Sequence, residues 1–449
     1  MIKEFTVLGL HGERNIKLNF DKNSPYKILV AENGFGKTSL LNLFYGVLSG
    51  NLEKILTIDF DEVILILHGN KGKKYSINKD ELSKSYLSVF KDAEPMRVLV
   101  RRLGEEKALE LLDELISNNF RLSKQLMDKA RAERILTILI RDLKEIKKIF
   151  EENFSTSSPS INKSYNNLIE IKNKFYENIL YLPTYRRIEE SLVNLYSGEE
   201  NLDISEFSLN FGMNDVENRL QYLTNQILNS SRSEFLRMNG QMLSQLISID
   251  EIEITQEMID FIKIKSIDVL LDRIPEEDLS NKIKESIKII LQEEKPEISE
   301  HKVLFSFIYN MARADEKQKH NENLIYSYTE ICNKYLVNKK IIYDNRKVNV
   351  NIILNGNKQK TINIHKLSSG EKQILSLFAN LYLSERNDFA IFFDEPELSL
   401  SIEWQKMLLK DIIDSKKCKF LFATTHSPFI FDQLIDITSD LSEFSEEIE

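Results

Sequence analysis

Two glycines, a lysine and a hydroxyl residue near the N-terminus have the spacing of a loop that could bind phosphate. The stretch at 31–38 reads Ala-Glu-Asn-Gly-Phe-Gly-Lys-Thr. Glycine lets backbone N–H groups turn inward around phosphate oxygens, the lysine of such a loop contacts the β- and γ-phosphates, and the threonine hydroxyl ligates Mg²⁺. A chance glycine turn is the alternative, since Ala31 stands where glycine is usual. The candidate nucleotide contacts are Glu32, Asn33, Gly34, Phe35, Gly36, Lys37, Thr38 and Ser39, with Thr38 also a candidate metal ligand.

A second candidate anion site is the stretch Leu-Ser-Ser-Gly-Glu at 367–371. It comes just before a predicted helix over 372–383, so hydroxyls, amides and a helix N-terminus could all face one anion. An ordinary helix N-cap with Glu371 in the first turn is the alternative. The candidate nucleotide contacts are Ser368, Ser369 and Gly370.

The stretch at 389–396 reads Phe-Ala-Ile-Phe-Phe-Asp-Glu-Pro, an apolar run followed by two acids. This pattern is typical of a buried strand that carries carboxylates at its tip. Asp394 is predicted to hold Mg²⁺, and Glu395 is predicted to orient and polarise the attacking water. A hydrophobic strand followed by an acidic turn is the alternative.

A histidine ends another apolar run, Phe-Leu-Phe-Ala-Thr-Thr-His at 420–426. A neutral imidazole at this place could hydrogen-bond the γ-phosphate, which makes His426 a second candidate catalytic residue; a structural histidine is the alternative. The order of the four stretches decides between these interpretations, because chance would rarely produce it. The sequence therefore predicts an ATPase that uses ATP and Mg²⁺.

The elements that must position these residues indicate an α/β fold in three segments. Residues 1–92 are β-rich and carry the glycine loop, whereas 338–449 alternate between strands and helices and carry the other three stretches. Between them, 93–337 are mainly helical. Apolar residues at helical spacing there favour an arm packed on its neighbours over a coiled-coil rod, because the heptads do not persist. The two terminal segments are predicted to form one P-loop head, interrupted by a long and partly coiled-coil-like insertion.

Composition excludes several classes of protein. A net charge of −10 argues against coating nucleic acid by bulk electrostatics. The two cysteines lack metal-type spacing and suit a reducing compartment. The N-terminus has no signal pattern, and no apolar run approaches the ~18 residues that cross a bilayer. We expect a soluble, cytoplasmic protein with no membrane partner.

The four stretches resemble those of ABC-type ATPases of the SMC, OLD and phage-defence group, over about 1–90 and 335–440. The resemblance implies that two copies share each ATP, as a homodimer or a ring of dimers. It also implies that the serine–glycine stretch acts in trans, that His426 is a switch histidine, and that 397–401 cross the interface between copies. The runs 394–405 and 181–189 look most like the AriA-like ATPases of PARIS systems or the PtuA-like ATPases of Septu and retron systems.

The function that this resemblance implies is slow ATP hydrolysis that regulates a separate nuclease effector. The effector would be of Toprim type for PARIS and of HNH type for Septu, and a phage-encoded trigger would act on the assembly. Only about twenty residues follow Pro428, whereas OLD-type nucleases continue there into a Toprim domain. The alternative is a chromosome-maintenance or DNA-repair ATPase that clamps DNA. The basic residues Lys144, Lys147 and Lys148 favour this alternative. They alternate with glutamates, however, which is typical of a helix face exposed to solvent.

Two features depart from the family pattern. No glutamine occurs between residues 51 and 124, so the glutamine that usually bridges Mg²⁺ and the helical lobe has no counterpart there. The loop at 184–187 could take that role, and its two arginines could equally form interface salt bridges. The adenine contact is also unassigned, with His11 and Phe5 as candidates. The acidic end at 442–449 is interpreted as solvated, with a docking peptide as the alternative.

Overall fold

The computed structural model shows two compact units, 1–184 with 388–449 and 185–387. No described helix is long and apolar enough to cross a membrane. The described residues are 2–21, 24–32, 34–68, 73–82, 163–175, 178–184, 212–247, 253–264, 267–292, 301–356 and 360–448, with scattered residues between 94 and 142. The lysines at 144, 147 and 148, both arginines of the 184–187 loop and Asn33 lie outside them.

An antiparallel sheet in the first unit has the strand order β13-β2-β1-β4-β5. Apolar side chains alternate along its strands and form one buried face, as for Phe5 and Val7. The acidic end of the chain is not merely a solvated tail, because it adds β13 to the sheet edge and the Ile448 N–H donates to the Glu13 carbonyl at 2.8 Å. The strands are β1 (Ile2–Leu10), β2 (Arg14–Asn19), β4 (Glu62–Leu67), β5 (Lys74–Asn78) and β13 (Ser445–Glu447).

A parallel sheet in the same unit has the order β12-β3-β11-β10-β6 and draws strands from both ends of the chain, as predicted. Every residue of β10 is buried, which explains its unbroken apolar sequence. Because the strands are parallel, their carboxyl ends meet at one edge. The strands are β3 (Tyr26–Val30), β6 (Ile179–Leu182), β10 (Phe389–Asp394), β11 (Cys418–Thr425) and β12 (Thr438–Asp440).

Helices of the first unit pack around these sheets. The Phe44 ring in α1 stacks on Phe5 at a centroid distance of 4.0 Å and meets Phe392, Phe420 and Phe422 edge-on. This contact fixes the helix that follows the glycine loop against both sheets. The helices are α1 (Lys37–Ser49), α2 (Leu52–Leu56), α3 (Glu94–Leu103) and α4 (Lys163–Lys174), with a later helix at Ile402–Asp414.

The second unit is helical around a small antiparallel sheet, and most of its helices lie within the segment 93–337 that is predicted to be mainly helical. Its strands are β7 (Lys339–Asp344), β8 (Asn349–Leu354) and β9 (Thr361–Ile362). Its helices are α5 (Met213–Ile247), α6 (Gln256–Ile264), α7 (Ile267–Asp272), α8 (Asn281–Gln292), α9 (Lys302–Asn333) and α10 (Ser369–Tyr382), so that the helix at Ile402–Asp414 in the first unit is α11.

The borders of the compact units differ from the predicted segment borders at 92/93 and 337/338. Leu99 and Leu168 join the core of the first unit, so part of the predicted insertion belongs there. Conversely, Tyr335 and Phe378 pack their rings 5.4 Å apart, which joins α10 to the residues that follow α9 in the second unit. The compact units therefore follow side-chain packing, whereas the predicted segments follow the pattern of strands along the sequence.

Candidate active site

The glycine loop joins β3 to α1 in the first unit. Gly34 and Gly36 have φ angles of 85° and 79°, a backbone region that residues with a Cβ rarely adopt. A Cβ on Gly36 would also lie 3.3 Å from the Leu10 side chain. No side-chain hydrogen bond caps the start of α1 at Gly36. The first-turn N–H groups of this 13-residue helix therefore suit an anion.

Lys37 is only 6% exposed at the start of that helix. Its Nζ donates to the carbonyl oxygens of Ala31 at 2.5 Å and Glu32 at 2.9 Å. Burial lowers the pKa of Lys37, and the carboxylates of Glu395 and Asp394 act in the opposite direction. The ammonium group is therefore held inside the loop by neutral carbonyl oxygens, which phosphate oxygens could replace as stronger partners.

Three threonine hydroxyls meet the carboxylate of Asp394 at the tip of β10. Thr38 Oγ1 donates to Oδ2 at 2.9 Å, Thr424 Oγ1 donates to Oδ1 at 2.6 Å, and Thr184 Oγ1 also donates to Oδ2. Asp394 is 1% exposed. The structure thus brings both predicted metal ligands, Thr38 and Asp394, within hydrogen-bond distance, and adds Thr184 from the end of β6.

This oxygen cluster fits Mg²⁺ bound together with a nucleotide. Mg²⁺ usually takes one or two protein oxygens and completes its shell with phosphate oxygens and waters. Among the residues that the structure describes, no group of three or more His, Cys, Asp or Glu could hold a metal ion alone. Thr38 and Asp394 would therefore be the protein ligands, and the phosphates would supply the rest.

Glu395 and His426 lie side by side next to this cluster. The Glu395 N–H donates to the Thr424 carbonyl at 2.9 Å, and its backbone is left-handed with a φ of 46°. Its Oε1 lies 3.8 Å from His426 Nε2, while His426 Nδ1 lies 3.3 Å from Lys37 Nζ. Burial raises the pKa of Glu395, as do the nearby carboxylates of Asp394 and Glu397. A carboxylate with a raised pKa is better suited to accept a proton from water.

The serine–glycine stretch lies in the second unit as the start of α10. Ser368 is the N-cap: its Oγ accepts from the Glu371 N–H at 3.3 Å, and Glu371 Oε2 accepts from the Ser368 N–H at 2.8 Å. Lys339 Nζ binds both oxygens of Glu371 at 2.6 and 2.8 Å. The helix begins at Ser369, three residues earlier than predicted. The N-cap interpretation thus describes this stretch, and its contact with a nucleotide stays a prediction.

The glycine loop borders the antiparallel sheet through His11 and Phe35. His11 is exposed, and its Nε2 lies 2.9 Å from Ser39 Oγ, while the Phe35 ring lies 3.9 Å below the Arg14 guanidinium. The candidate adenine contact at Phe5 is wrong, because this side chain is fully buried in the core.

Sequence reasoning missed Thr184 as a site residue. Its signal in the sequence is its position directly after a short strand and a proline, in the loop at 184–187 that could replace the missing glutamine. Its contact with Asp394 spans 210 residues and depends on β6 pairing with β10.

Comparison with known proteins matches residues 1–431 to a family model described as an AAA ATPase domain. No curated protein matches the sequence. Among solved structures, the chain is similar to an Smc head bound to the C-winged helix domain of ScpA, at 11% identity over 96% of this chain and 91% of that one, with a TM-score of 0.33. It is also similar to an Smc head domain with an extended coiled coil bound to the C-terminal domain of ScpA, from Pyrococcus furiosus, at 13% identity, the same coverage and a TM-score of 0.33.

Proposed function

This chain belongs to the AAA ATPase domain family, and from that premise we propose that its first unit binds Mg²⁺–ATP and hydrolyses the bond to the γ-phosphate. Lys37 and the first N–H groups of α1 hold the phosphates. Mg²⁺, when bound, neutralises charge on the β- and γ-oxygens. Glu395 orients a water for in-line attack and accepts its proton, and His426 hydrogen-bonds the γ-phosphate.

The observation that carries this proposal is the hydrogen bond between Thr38 and Asp394, two residues 356 positions apart. A hydroxyl at the start of the helix after a glycine loop, next to a buried strand-end carboxylate, is the arrangement that a Mg²⁺–phosphate complex needs. Chance would not also place a lysine, a glutamate and a histidine around this pair.

The test is ATP binding and turnover by a Lys37→Ala variant. Loss of the ammonium group should abolish ATP binding and turnover, because Lys37 Nζ is the cation that lies inside the loop, against the carbonyl oxygens of Ala31 and Glu32. Lys17→Ala is a matched control, since Lys17 is 59% exposed on β2 and pairs only with Glu4 among the contacts that describe it. Normal ATP turnover by Lys37→Ala would refute the proposed site.

The proposal extends to a second copy of the chain that completes each site. Ser368 and Ser369 are exposed at the N-terminus of the 14-residue α10, where an anion is stabilised. The resemblance to ABC-type heads assigns the serine–glycine stretch to the γ-phosphate of a nucleotide bound by another copy. Since Glu371 already accepts hydrogen bonds from Ser368, a phosphate at this position would compete with that carboxylate.

The biological role that we propose is anti-phage defence, in which ATP-dependent assembly holds or releases a separate nuclease. Its support is the resemblance of the runs at 394–405 and 181–189 to ATPases of PARIS and Septu systems. Co-purification with the product of the neighbouring gene tests it: a Toprim protein would favour PARIS, and an HNH nuclease would favour Septu. Strong stimulation of ATP turnover by DNA, without a co-purifying nuclease, would instead support the DNA-clamping alternative.

A further inference from the structure

The carboxylate of Glu397 holds the main chain of the turn that carries the active-site histidine. Its Oε1 accepts hydrogen bonds from the N–H groups of His426 at 2.8 Å and Ser427 at 3.1 Å. Its Oε2 is buried and has no hydrogen-bond partner among the described residues. Two successive amides on one charged oxygen fix the turn more firmly than neutral hydrogen bonds would.

A second side chain ties the same turn to the loop at 397–401. Gln405, in the first turns of α11, accepts from Ser427 Oγ at 2.6 Å and donates through Nε2 to the Leu400 carbonyl at 3.0 Å. Glu397 and Gln405 thus connect the turn at 426–427, which follows β11, to the loop at 397–401 through two separate sets of hydrogen bonds. Leu398 in that segment is 40% exposed, so the linked loop reaches the surface.

His426 is the part of the turn that faces the chemistry. Its imidazole lies between Lys37 Nζ, at 3.3 Å, and Glu395 Oε1, at 3.8 Å. Since the Glu397 carboxylate binds the main-chain N–H of this same residue, displacement of Glu397 would move the imidazole relative to both neighbours. A change of about 1 Å in such a contact is enough to cost a large factor in rate.

We propose that Glu397 is a positioning residue for ATP hydrolysis, which sets the place of His426 and couples it to the loop at 397–401. The inference rests on the proposed ATPase function and deepens it. A displacement of the surface loop, for example on contact with another copy, would move His426 through the two hydrogen bonds from Glu397 to the main chain. The contacts of Gln405 with Leu400 and Ser427 provide a second connection.

Two substitutions separate hydrogen bonding from charge. Glu397→Ala removes the acceptor, so kcat for ATP should fall about 10-fold or more. KM should change less than about 3-fold, because the described hydrogen bonds of the Glu397 carboxylate go to the turn at His426 and Ser427 rather than to the glycine loop. Glu397→Gln keeps a carbonyl oxygen that can accept both N–H groups and should restore most of kcat. Equal losses in both variants, or no loss in either, would overturn the proposal.

A double-mutant cycle with His426→Ala tests whether Glu397 acts through the histidine. In the His426→Ala background, Glu397→Ala should lower kcat little further, because the group that it positions is already absent. Independent, multiplicative losses would show that Glu397 acts elsewhere and would overturn the proposal. This comparison holds even if Glu397→Ala loses some stability, since thermal unfolding of the single and double variants reports that loss separately.

Glu403→Gln is the matched control, because it removes one negative charge from an exposed carboxylate two residues before Gln405. Its kcat and KM should equal those of the unchanged protein. The failures of the two proposals also differ. Normal turnover by Lys37→Ala refutes the ATPase site itself, whereas unchanged kcat in Glu397→Ala, with Lys37→Ala inactive, refutes only the positioning role.

Discussion

Glu395 is the residue whose protonation should limit activity at low pH. Burial and the carboxylates of Asp394 and Glu397 raise its pKa above the ordinary 4.5. In the proposed mechanism the deprotonated form orients water, so kcat should fall as the pH decreases through this pKa, which lies above 4.5. A profile of kcat against pH, with folding monitored by circular dichroism, checks this. An activity that stays constant down to pH 4.5 would contradict the assignment.

Thr184 should affect Mg²⁺ use more than it affects the fold. Thr184→Val keeps the branched shape and removes the hydroxyl that donates to Asp394. Loss of such a supporting hydrogen bond costs about 10-fold in metal affinity, so the Mg²⁺ concentration for half-maximal ATP turnover should rise by that factor. Thr184→Ser keeps the hydroxyl, so its Mg²⁺ dependence should stay close to that of the unchanged protein. Thr57→Val is the control: Thr57 is exposed, its described hydrogen bond goes to the Lys54 carbonyl, and its loss should leave the Mg²⁺ dependence unchanged. Equal Mg²⁺ dependence in Thr184→Val and Thr57→Val would argue against this role.

The site role of a residue could be predicted from the sequence where its neighbours in the chain form a recognisable motif. It could not be predicted where the residue contacts partners that are distant in the chain. Gly34, Gly36 and Lys37 stand out by spacing alone, since the loop conformation itself demands glycine. Thr184 has no such signal, because its contact with Asp394 exists only once β6 pairs with β10. The role of Glu397 is hidden for the same reason, as its partners come 29 and 30 residues later in the chain.

At the scale of elements, α1 holds the glycine loop against both sheets through Phe44. This side chain is fully buried, and Phe44→Ala should lower the free energy of unfolding by about 3–5 kcal/mol through lost contacts and a cavity. Phe429→Ala, at a side chain that is 39% exposed, is the control and should lower it by less, about 1 kcal/mol. Urea unfolding of both variants measures the difference. A similar small effect in both would show that α1 does not depend on this aromatic cluster.

Element types followed from sequence patterns more readily than element partners did. The composition of residues 1–92 predicted a β-rich segment, which contains β1 and β2, and an unbroken apolar run predicted β10, because each signal reports burial of the strand itself. The start of α10 and the strand at the end of the chain were predicted less well. The first depends on a capping box between Ser368 and Glu371, and the second on pairing with β2, a partner more than 400 residues away.

At the scale of the whole molecule, the proposed assembly requires the serine–glycine stretch of one copy to reach the glycine loop of another. Ser368→Asp is a suitable probe because aspartate is as good an N-cap as serine, yet its charge repels a phosphate. Ser368→Asn keeps the cap without the charge and serves as the control. Because Ser368 Oγ donates to Glu371 Oε2 at 3.0 Å, the new carboxylate would also repel Glu371. Thermal unfolding of both variants measures this loss of stability separately from the loss of ATP turnover.

The most direct measurement is ATP turnover by a mixture of Lys37→Ala and Ser368→Asp chains. Each variant alone should be inactive, since every site of a pair then lacks either the lysine or the serine. A mixed pair contains one site with an intact glycine loop from one chain and an intact Ser368 from the other, so free exchange should restore about a quarter of the normal turnover. Turnover that stays at the level of the separate variants, or full activity of Ser368→Asp alone, would contradict the shared site.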